Sequence, residues 1–146
     1  RNVPHTALAV TYDAGEWNDI HPLDKKTVAR RLFLGARKIV YGEKVAASGP
    51  IYKGMETKGN RIILSFDDAG RGLSCRGGRL KHFAIAGEDR KFVWADAVIK
   101  GGKVVVSSPE VEHPVAVRYA WSNNPEEANL CNKDGLLASP FRTDNW

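Results

Sequence analysis

Trp17-Asn18-Asp19-Ile20-His21-Pro22 separates two segments of different character. The apolar run before it, residues 6–12 (Thr-Ala-Leu-Ala-Val-Thr-Tyr), is typical of a short buried parallel strand. The segment after it begins near Leu23 and has helical periodicity. A strand, a loop and a helix in this order predict an α/β unit. We therefore expect the loop to lie at the carboxyl end of the strand, where open α/β sheets form binding crevices.

The helix is predicted from Leu23 to Tyr41. Its apolar positions recur at spacings near three and four and are Leu23, Val28, Leu32, Ala36, Ile39 and Val40. Pro22 suits a helix start, where its missing N–H needs no partner, and Gly42 is a plausible C-terminal stop. We expect the apolar stripe to cover the preceding strand. Because one strand and one helix cannot make a sheet alone, residues 1–45 are interpreted as the closing piece of a larger α/β domain.

From residue 46 onward the helical pattern gives way to period-two alternation, which predicts strands with one buried face. The positions expected to face a core are Ile62, Leu64, Phe66, Phe83, Ile85, Phe92, Trp94, Val98, Val104, Val106, Val115, Val117 and Tyr119. Gly101-Gly102 predicts a two-residue hairpin. Many short strands with glycine-rich turns are typical of a β-sandwich or jelly roll, here over residues 46–146. The tail from Ser122 to Trp146 is expected to be irregular, pinned by Phe141 and Trp146.

Composition narrows the function classes. The 146 residues carry a net charge of +5, but the densest basic group lies on the predicted helix and is interpreted as its solvated face. These residues are Lys25, Lys26, Arg30, Arg31, Arg37 and Lys38. Exposed aromatics do not interleave with them, so nucleic-acid binding is not predicted. No apolar run reaches the roughly 18 residues of a membrane span, and neither a metal site nor a cofactor is predicted.

The two cysteines, Cys75 and Cys131, are too few for a disulfide framework. Either they form one bridge or they are two buried thiols. The chain does not begin with methionine, which suggests a fragment, a processed subunit or a domain.

His21 is the leading catalytic candidate. An imidazole takes and returns a proton near neutral pH, and it needs an acid to hold the ring in the right tautomer. Asp19 lies two positions earlier, and Asp13 and Glu16 are in the same loop. Trp17 is expected either to line a substrate pocket or to pack beneath it. His82 and His113, in or beside strands, are interpreted as structural or solvated, and Trp94 and Trp121 as core residues.

Several motifs together resemble the sialate O-acetylesterase family of SGNH-type esterases. They are Asp13-Ala14-Gly15-Glu16-Trp17-Asn18-Asp19-Ile20-His21-Pro22, Leu34-Gly35-Ala36-Arg37 to Tyr41-Gly42, Ser48-Gly49-Pro50, Val117-Arg118-Tyr119-Ala120-Trp121 and Ser139-Pro140-Phe141-Arg142-Thr143-Asp144. The resemblance implies the C-terminal portion of an enzyme that removes O-acetyl groups, chiefly 9-O-acetyl groups, from sialic acids. It also implies an SGNH-type α/β domain, a periplasmic, secreted or lysosomal setting, and a catalytic role for His21.

Two features depart from the pattern that the resemblance implies. An acid is expected three residues before the histidine, but Asn18 stands there, so Asp19, another acid or a backbone carbonyl would orient His21. None of the serines lies in a Gly-Asp-Ser or Gly-Gln-Ser setting; they are Ser48, Ser65, Ser74, Ser107, Ser108, Ser122 and Ser139. The nucleophile is therefore expected in an N-terminal segment of the same protein, and this chain alone is expected to be inactive. The alternative is a non-catalytic carbohydrate-binding or structural β-sandwich module.

Overall fold

The computed structural model describes residues 3–146 and contains one α-helix and ten short β-strands. In chain order these are α1 (Lys25–Ile39), β1 (Ile51–Lys58), β2 (Arg61–Asp67), β3 (Leu73–Cys75), β4 (Phe83–Ala86), β5 (Phe92–Trp94), β6 (Asp96–Lys100), β7 (Lys103–Ser107), β8 (Ala116–Tyr119), β9 (Leu130–Asn132) and β10 (Phe141–Arg142). The helix lies before residue 46 and every strand lies after it. The predicted change from helical to strand periodicity at this point is confirmed.

The strands form two four-stranded sheets and a two-stranded ribbon, all antiparallel. One sheet has the order β1-β2-β7-β6, the other has the order β10-β8-β4-β5, and β3 pairs with β9. The hairpin between β6 and β7 turns at Gly101 and Gly102, whose φ angles are 57° and 73°. Two consecutive positive φ angles suit the tight turn that the glycine pair predicts.

Both sheets contribute to one hydrophobic cluster. Its fully buried members include Ile62 and Leu64 of β2, Ile85 of β4 and Val117 of β8. Of residues 3–45, only Tyr12 is among the side chains packed against this cluster. The core that stabilises the chain therefore belongs to the β region.

In two strands, β5 and β6, the side chains that face the core are not the predicted ones. In β5, Val93 packs against the core while Trp94 is 71% exposed, and in β6, Ala97 is buried while Val98 is 57% exposed. In β6, Val98 alternates with Asp96 and Lys100, so the sequence itself marks this face as the solvent side. Strand β5 is apolar on both faces, with Val93 on one and Phe92 and Trp94 on the other, so alternation alone cannot choose its face. The cross-strand register decides it, and a shift of one residue exchanges every side chain between core and solvent.

The strand predicted over residues 6–12 is not formed within residues 3–146. These residues form no ladder, and Leu8 is 68% exposed. A strand exists only when a neighbour accepts its backbone hydrogen bonds. Among residues 3–146, no strand pairs with this segment.

Helix α1 is confirmed but is two residues shorter at each end than predicted. Asp24 is its N-cap and accepts a hydrogen bond from the Thr27 amide at 2.9 Å, so the helix starts after Asp24 rather than at Leu23. Gly42 follows the C-terminus with a φ of 65°, as expected of a glycine stop.

The expected orientation of the helix is wrong. Arg31 and Gly35 are its buried residues, whereas Leu32 and Phe33 are 57% and 58% exposed. Gly35 faces Ala7 so closely that a Cβ on it would lie 2.7 Å from the Ala7 Cβ. The predicted apolar stripe is therefore open over much of its length in the described part of the chain. No helix within residues 3–146 is long and apolar enough to cross a membrane.

The C-terminal tail is more ordered than predicted, because it contains β9 and β10. Phe141 is buried and stacks on Tyr52, with ring centroids 4.9 Å apart, so its predicted pinning role is confirmed. Cys131, in β9, pairs in register with Ser74, and both Cys131 and Cys75 are free thiols.

Candidate functional site

The loop that carries His21 is a tight and exposed turn. Asp19 donates its backbone N–H to the Glu16 carbonyl at 3.3 Å, and the two residues form an isolated antiparallel bridge. The apolar side chains of this turn point into solvent: Trp17 is 82% exposed and Ile20 is 90% exposed. The loop therefore presents a large apolar and aromatic surface that residues 3–146 do not cover.

His21 and Asp19 are neighbours in this turn. The Nδ1 atom of His21 lies 3.4 Å from Oδ1 of Asp19, and the side chains are 80% and 44% exposed. The same carboxylate oxygen accepts the His21 backbone N–H at 2.7 Å. This hydrogen bond fixes the carboxylate beside the ring. A distance of 3.4 Å is long for a hydrogen bond, but catalytic hydrogen bonds often tighten only when substrate binds.

Asp13, the other strong acid near the loop, is already engaged. Its two carboxylate oxygens accept hydrogen bonds from Arg31 at 2.5 and 2.7 Å, and one of them also accepts from Arg76 at 2.7 Å. Burial raises the pKa of Asp13, but the two guanidinium groups outweigh it and hold the pKa below its usual range. Asp13 is thus an ion-pair partner that joins α1 to the β region, which leaves Asp19 as the acid beside His21.

Tyr12 makes a second connection between the N-terminal segment and the β region. Its hydroxyl donates to the Ala138 carbonyl at 3.2 Å and lies 3.3 Å from the Tyr119 hydroxyl. Because the Tyr12 hydrogen is used, the Tyr119 hydroxyl is the donor between the two, and it accepts from the Leu130 amide at 2.9 Å. Burial raises the pKa of Tyr12 to about 12, so both phenols remain neutral.

Sequence reasoning missed two features. Arg31 belongs to the basic group interpreted as a solvated face, yet it is buried on Asp13, and no local pattern separates it from the exposed basic residues of α1. Trp94 and Trp121 were expected in the core, but they are 71% and 52% exposed. Within residues 3–146, no three His, Cys, Asp or Glu side chains are grouped so as to hold a metal ion.

Comparison with known proteins covers nearly the whole chain. It is 32% identical to the mouse sialate O-acetylesterase over 155 residues and 30% identical to the human enzyme over 153 residues, each over 95% of this chain. The crystal structure of a carbohydrate acetylesterase from Xanthomonas citri is similar over 92% of the chain, with 48% identity and a TM-score of 0.88. The resemblance to the sialate O-acetylesterases is confirmed.

The similarity extends over only part of each relative. The chain spans 28% of the mouse sialate O-acetylesterase, 29% of the human one and 31% of the Xanthomonas citri acetylesterase. No protein-family profile matches the sequence. The chain is thus similar to a portion of these carbohydrate esterases, and that portion includes both the His21 loop and the two sheets.

Proposed function

We propose that this chain is the C-terminal part of a sialate O-acetylesterase-type serine esterase and supplies its general base, His21. Residues 1–45 are the last strand–loop–helix unit of an SGNH-type α/β domain, and residues 46–146 are a β-sandwich beside it. The observation that carries the proposal is the exposed imidazole of His21 next to the Asp19 carboxylate. It is a proton acceptor with an acid on one ring nitrogen and an open approach to the rest of the ring.

The exposed surfaces of the N-terminal unit support a missing neighbour. Leu8, Leu32 and Phe33 are each more than half exposed, and residues 6–12 form no ladder. An α/β sheet buries such residues between strands and helices. An N-terminal segment of the same protein, carrying the serine nucleophile, pairs with residues 6–12 and covers α1 in this proposal.

The chemistry follows from the two ring nitrogens. Nδ1 carries a proton and faces Asp19, so Nε2 is free to accept the serine proton while the serine oxygen attacks the acetyl carbonyl. The imidazolium then returns this proton to the departing sugar oxygen, and the acetyl group stays on the serine. Water, deprotonated by the same nitrogen, releases acetate. Trp17, in the same loop, lines the acetyl pocket.

The substrate class rests on the named relatives. Two of them are sialate O-acetylesterases and one is a carbohydrate acetylesterase. We therefore propose O-acetylated sialic acid, chiefly acetylated at O9, as substrate. The alternative, favoured by the exposure of Trp94, is a non-catalytic carbohydrate-binding module.

Acetate release distinguishes these functions. The full-length protein should hydrolyse 9-O-acetyl-N-acetylneuraminic acid, while the 146-residue chain alone should be inert on it and on 4-nitrophenyl acetate. If the 146-residue chain alone hydrolyses either ester and Ser74→Ala abolishes this activity, the nucleophile lies within the chain. That result would overturn the proposal that the serine is in an N-terminal segment. If the full-length protein hydrolyses glucose pentaacetate but not the acetylated sialic acid, the proposed substrate class is wrong. If it hydrolyses no acetyl ester, the proposed esterase activity is wrong.

A further inference from the structure

Trp94 lies at the end of β5, on the outward face of its sheet, because its register partner is Ala84. The indole is 71% exposed. The His82 ring stands almost perpendicular to it, at 80°, with the centroids 5.9 Å apart. The indole is therefore held from one side and open on the other. A solvent-exposed indole offers a large flat apolar face to a ligand, and tryptophan is enriched at interfaces for this reason.

The backbone beneath this pair has an unusual conformation. His82 has a φ of 61° and Ala120, on the neighbouring strand end, has a φ of 50°. The Ala120 amide donates to the His82 carbonyl at 3.0 Å. Left-handed conformations are costly for residues other than glycine and collect at functional sites. Here they end the ladder of β4 and β8 and place the His82 ring beside Trp94.

Trp94 and His82 line a cleft of about 550 Å³, which is within the range of small-molecule sites. Pro109 and Glu110, of the loop after β7, also line it. Four further charged side chains do so as well: Arg79, Lys81, Asp96 and Glu127. The cleft thus combines one aromatic platform with several hydrogen-bonding groups.

The charges in the cleft favour an uncharged ligand. Arg79 pairs with Asp96, and Lys81 pairs with Glu127 at 2.6 Å. Both pairs are exposed at the surface, and Glu110 adds a carboxylate that has no ion pair within residues 3–146. The lining thus holds two cationic side chains, Arg79 and Lys81, against three carboxylates, so an anion would meet an excess of negative charge. A neutral ligand with many hydroxyl groups can instead hydrogen-bond to the paired carboxylates and place an apolar C–H face on the indole.

We propose that this cleft is a glycan-binding subsite that holds a neutral pyranose ring on Trp94. The subsite is separate from the His21 loop and binds whether or not the protein is an esterase. In a carbohydrate esterase it would hold a neutral sugar of the glycan away from the acetyl group that is removed.

Binding of defined sugars tests the proposal. The 146-residue chain is titrated with sugars while its indole N–H signals are followed by NMR. The neutral probes are cellotetraose, xylotetraose, mannotetraose and lacto-N-tetraose. N-acetylneuraminic acid is the anionic probe. At least one neutral oligosaccharide should bind saturably. Trp94→Ala should weaken it at least about tenfold, as expected of an aromatic anchor, and Trp94→Phe should retain most of the affinity.

The matched control is Trp121→Ala, which removes an exposed tryptophan outside the cleft and should change the affinity less than about twofold. Unchanged thermal unfolding of all three variants shows that the fold is intact. The proposal is overturned if no neutral oligosaccharide binds, if Trp94→Ala has no more effect than Trp121→Ala, or if N-acetylneuraminic acid binds more tightly through Trp94. None of these results bears on His21, and loss of esterase activity in His21→Ala should leave glycan binding unchanged.

Discussion

The guanidinium of Arg31 donates to both carboxylate oxygens of Asp13, at 2.5 and 2.7 Å, and also to the Val10 carbonyl at 2.6 Å. Arg31 is on the helix, whereas Asp13 directly follows residues 6–12 and also accepts from Arg76 of the β region. One carboxylate therefore holds three parts of the chain together. The position of the His21 loop between residues 6–12 and α1 depends on this contact.

Replacing Asp13 should cost more stability than replacing an exposed acid. Asp13→Asn leaves the Arg31 side chain, which is 8% exposed, without its counter-charge. Removal of one partner from a buried pair costs on the order of 3 kcal/mol of unfolding free energy. Urea denaturation measures it. The control Glu43→Gln removes an acid paired with Arg37 at the surface and should have no measurable effect; equal losses would show that the Asp13 contact is not structural.

The stability of the chain should depend on pH through the same carboxylate. The pKa of Asp13 is lower in the folded chain than the roughly 3.9 of an unfolded aspartate. Its contribution is therefore complete above about pH 4 and is lost as pH falls through the folded pKa. Unfolding free energies measured between pH 7 and pH 3 should fall more steeply for the wild type than for Asp13→Asn. Parallel curves would contradict the assigned pKa shift.

The packing of α1 on the N-terminal segment can be tested at Gly35. A Cβ there would lie 2.7 Å from the Ala7 Cβ, so Gly35→Ala should destabilise the chain by about 1–3 kcal/mol although alanine favours helices. In an Ala7→Gly background the clash is absent, and the same change should stabilise by up to about 1 kcal/mol. Thermal unfolding of the four proteins gives the sign in each background. The same sign in both would mean that α1 does not rest on Ala7.

Much of the β region could be predicted because its signals are local. Gly101-Gly102 supplies two positive φ angles to a turn that other residues adopt at a cost. Val104 and Val106 alternate with residues that are less buried, so their facing follows from the sequence. The prediction that the C-terminal tail is irregular failed because β9 and β10 are only three and two residues long. Both are formed by pairing with distant strands, which no local pattern reveals.

The N-terminal unit was harder to predict because its surroundings are not local. The periodic stripe of α1 identified the helix, but Leu32 and Phe33 lie open while Arg31 faces inward. Charge normally marks the solvent side, and only the position of Asp13 explains the reversal. In the site, the adjacency of Asp19 and His21 follows from their spacing in a tight turn. That Asp13 is not the partner of His21 could not be predicted in this way, because Arg76, which binds its carboxylate, comes from far along the chain.

The role of Asp19 can be separated from that of the loop structure. Asp19→Asn keeps an oxygen that can accept the His21 amide but removes the negative charge beside Nδ1. In the full-length protein, kcat for acetyl-ester hydrolysis should fall at least about tenfold, with KM little changed. The control is Glu16→Gln, because Glu16 contributes its backbone carbonyl to the turn. Full activity of Asp19→Asn would assign the orientation of His21 to another group.

The most direct measurement is kcat/KM for release of acetate from an acetylated sugar by full-length wild type, His21→Ala and His113→Ala. His113 is an exposed histidine outside the loop, so it controls for loss of an imidazole. We predict a fall of about 10²–10⁴-fold for His21→Ala, with unchanged thermal unfolding, and no loss for His113→Ala. Activity of His21→Ala within a few-fold of wild type would contradict the assignment of His21 as the general base.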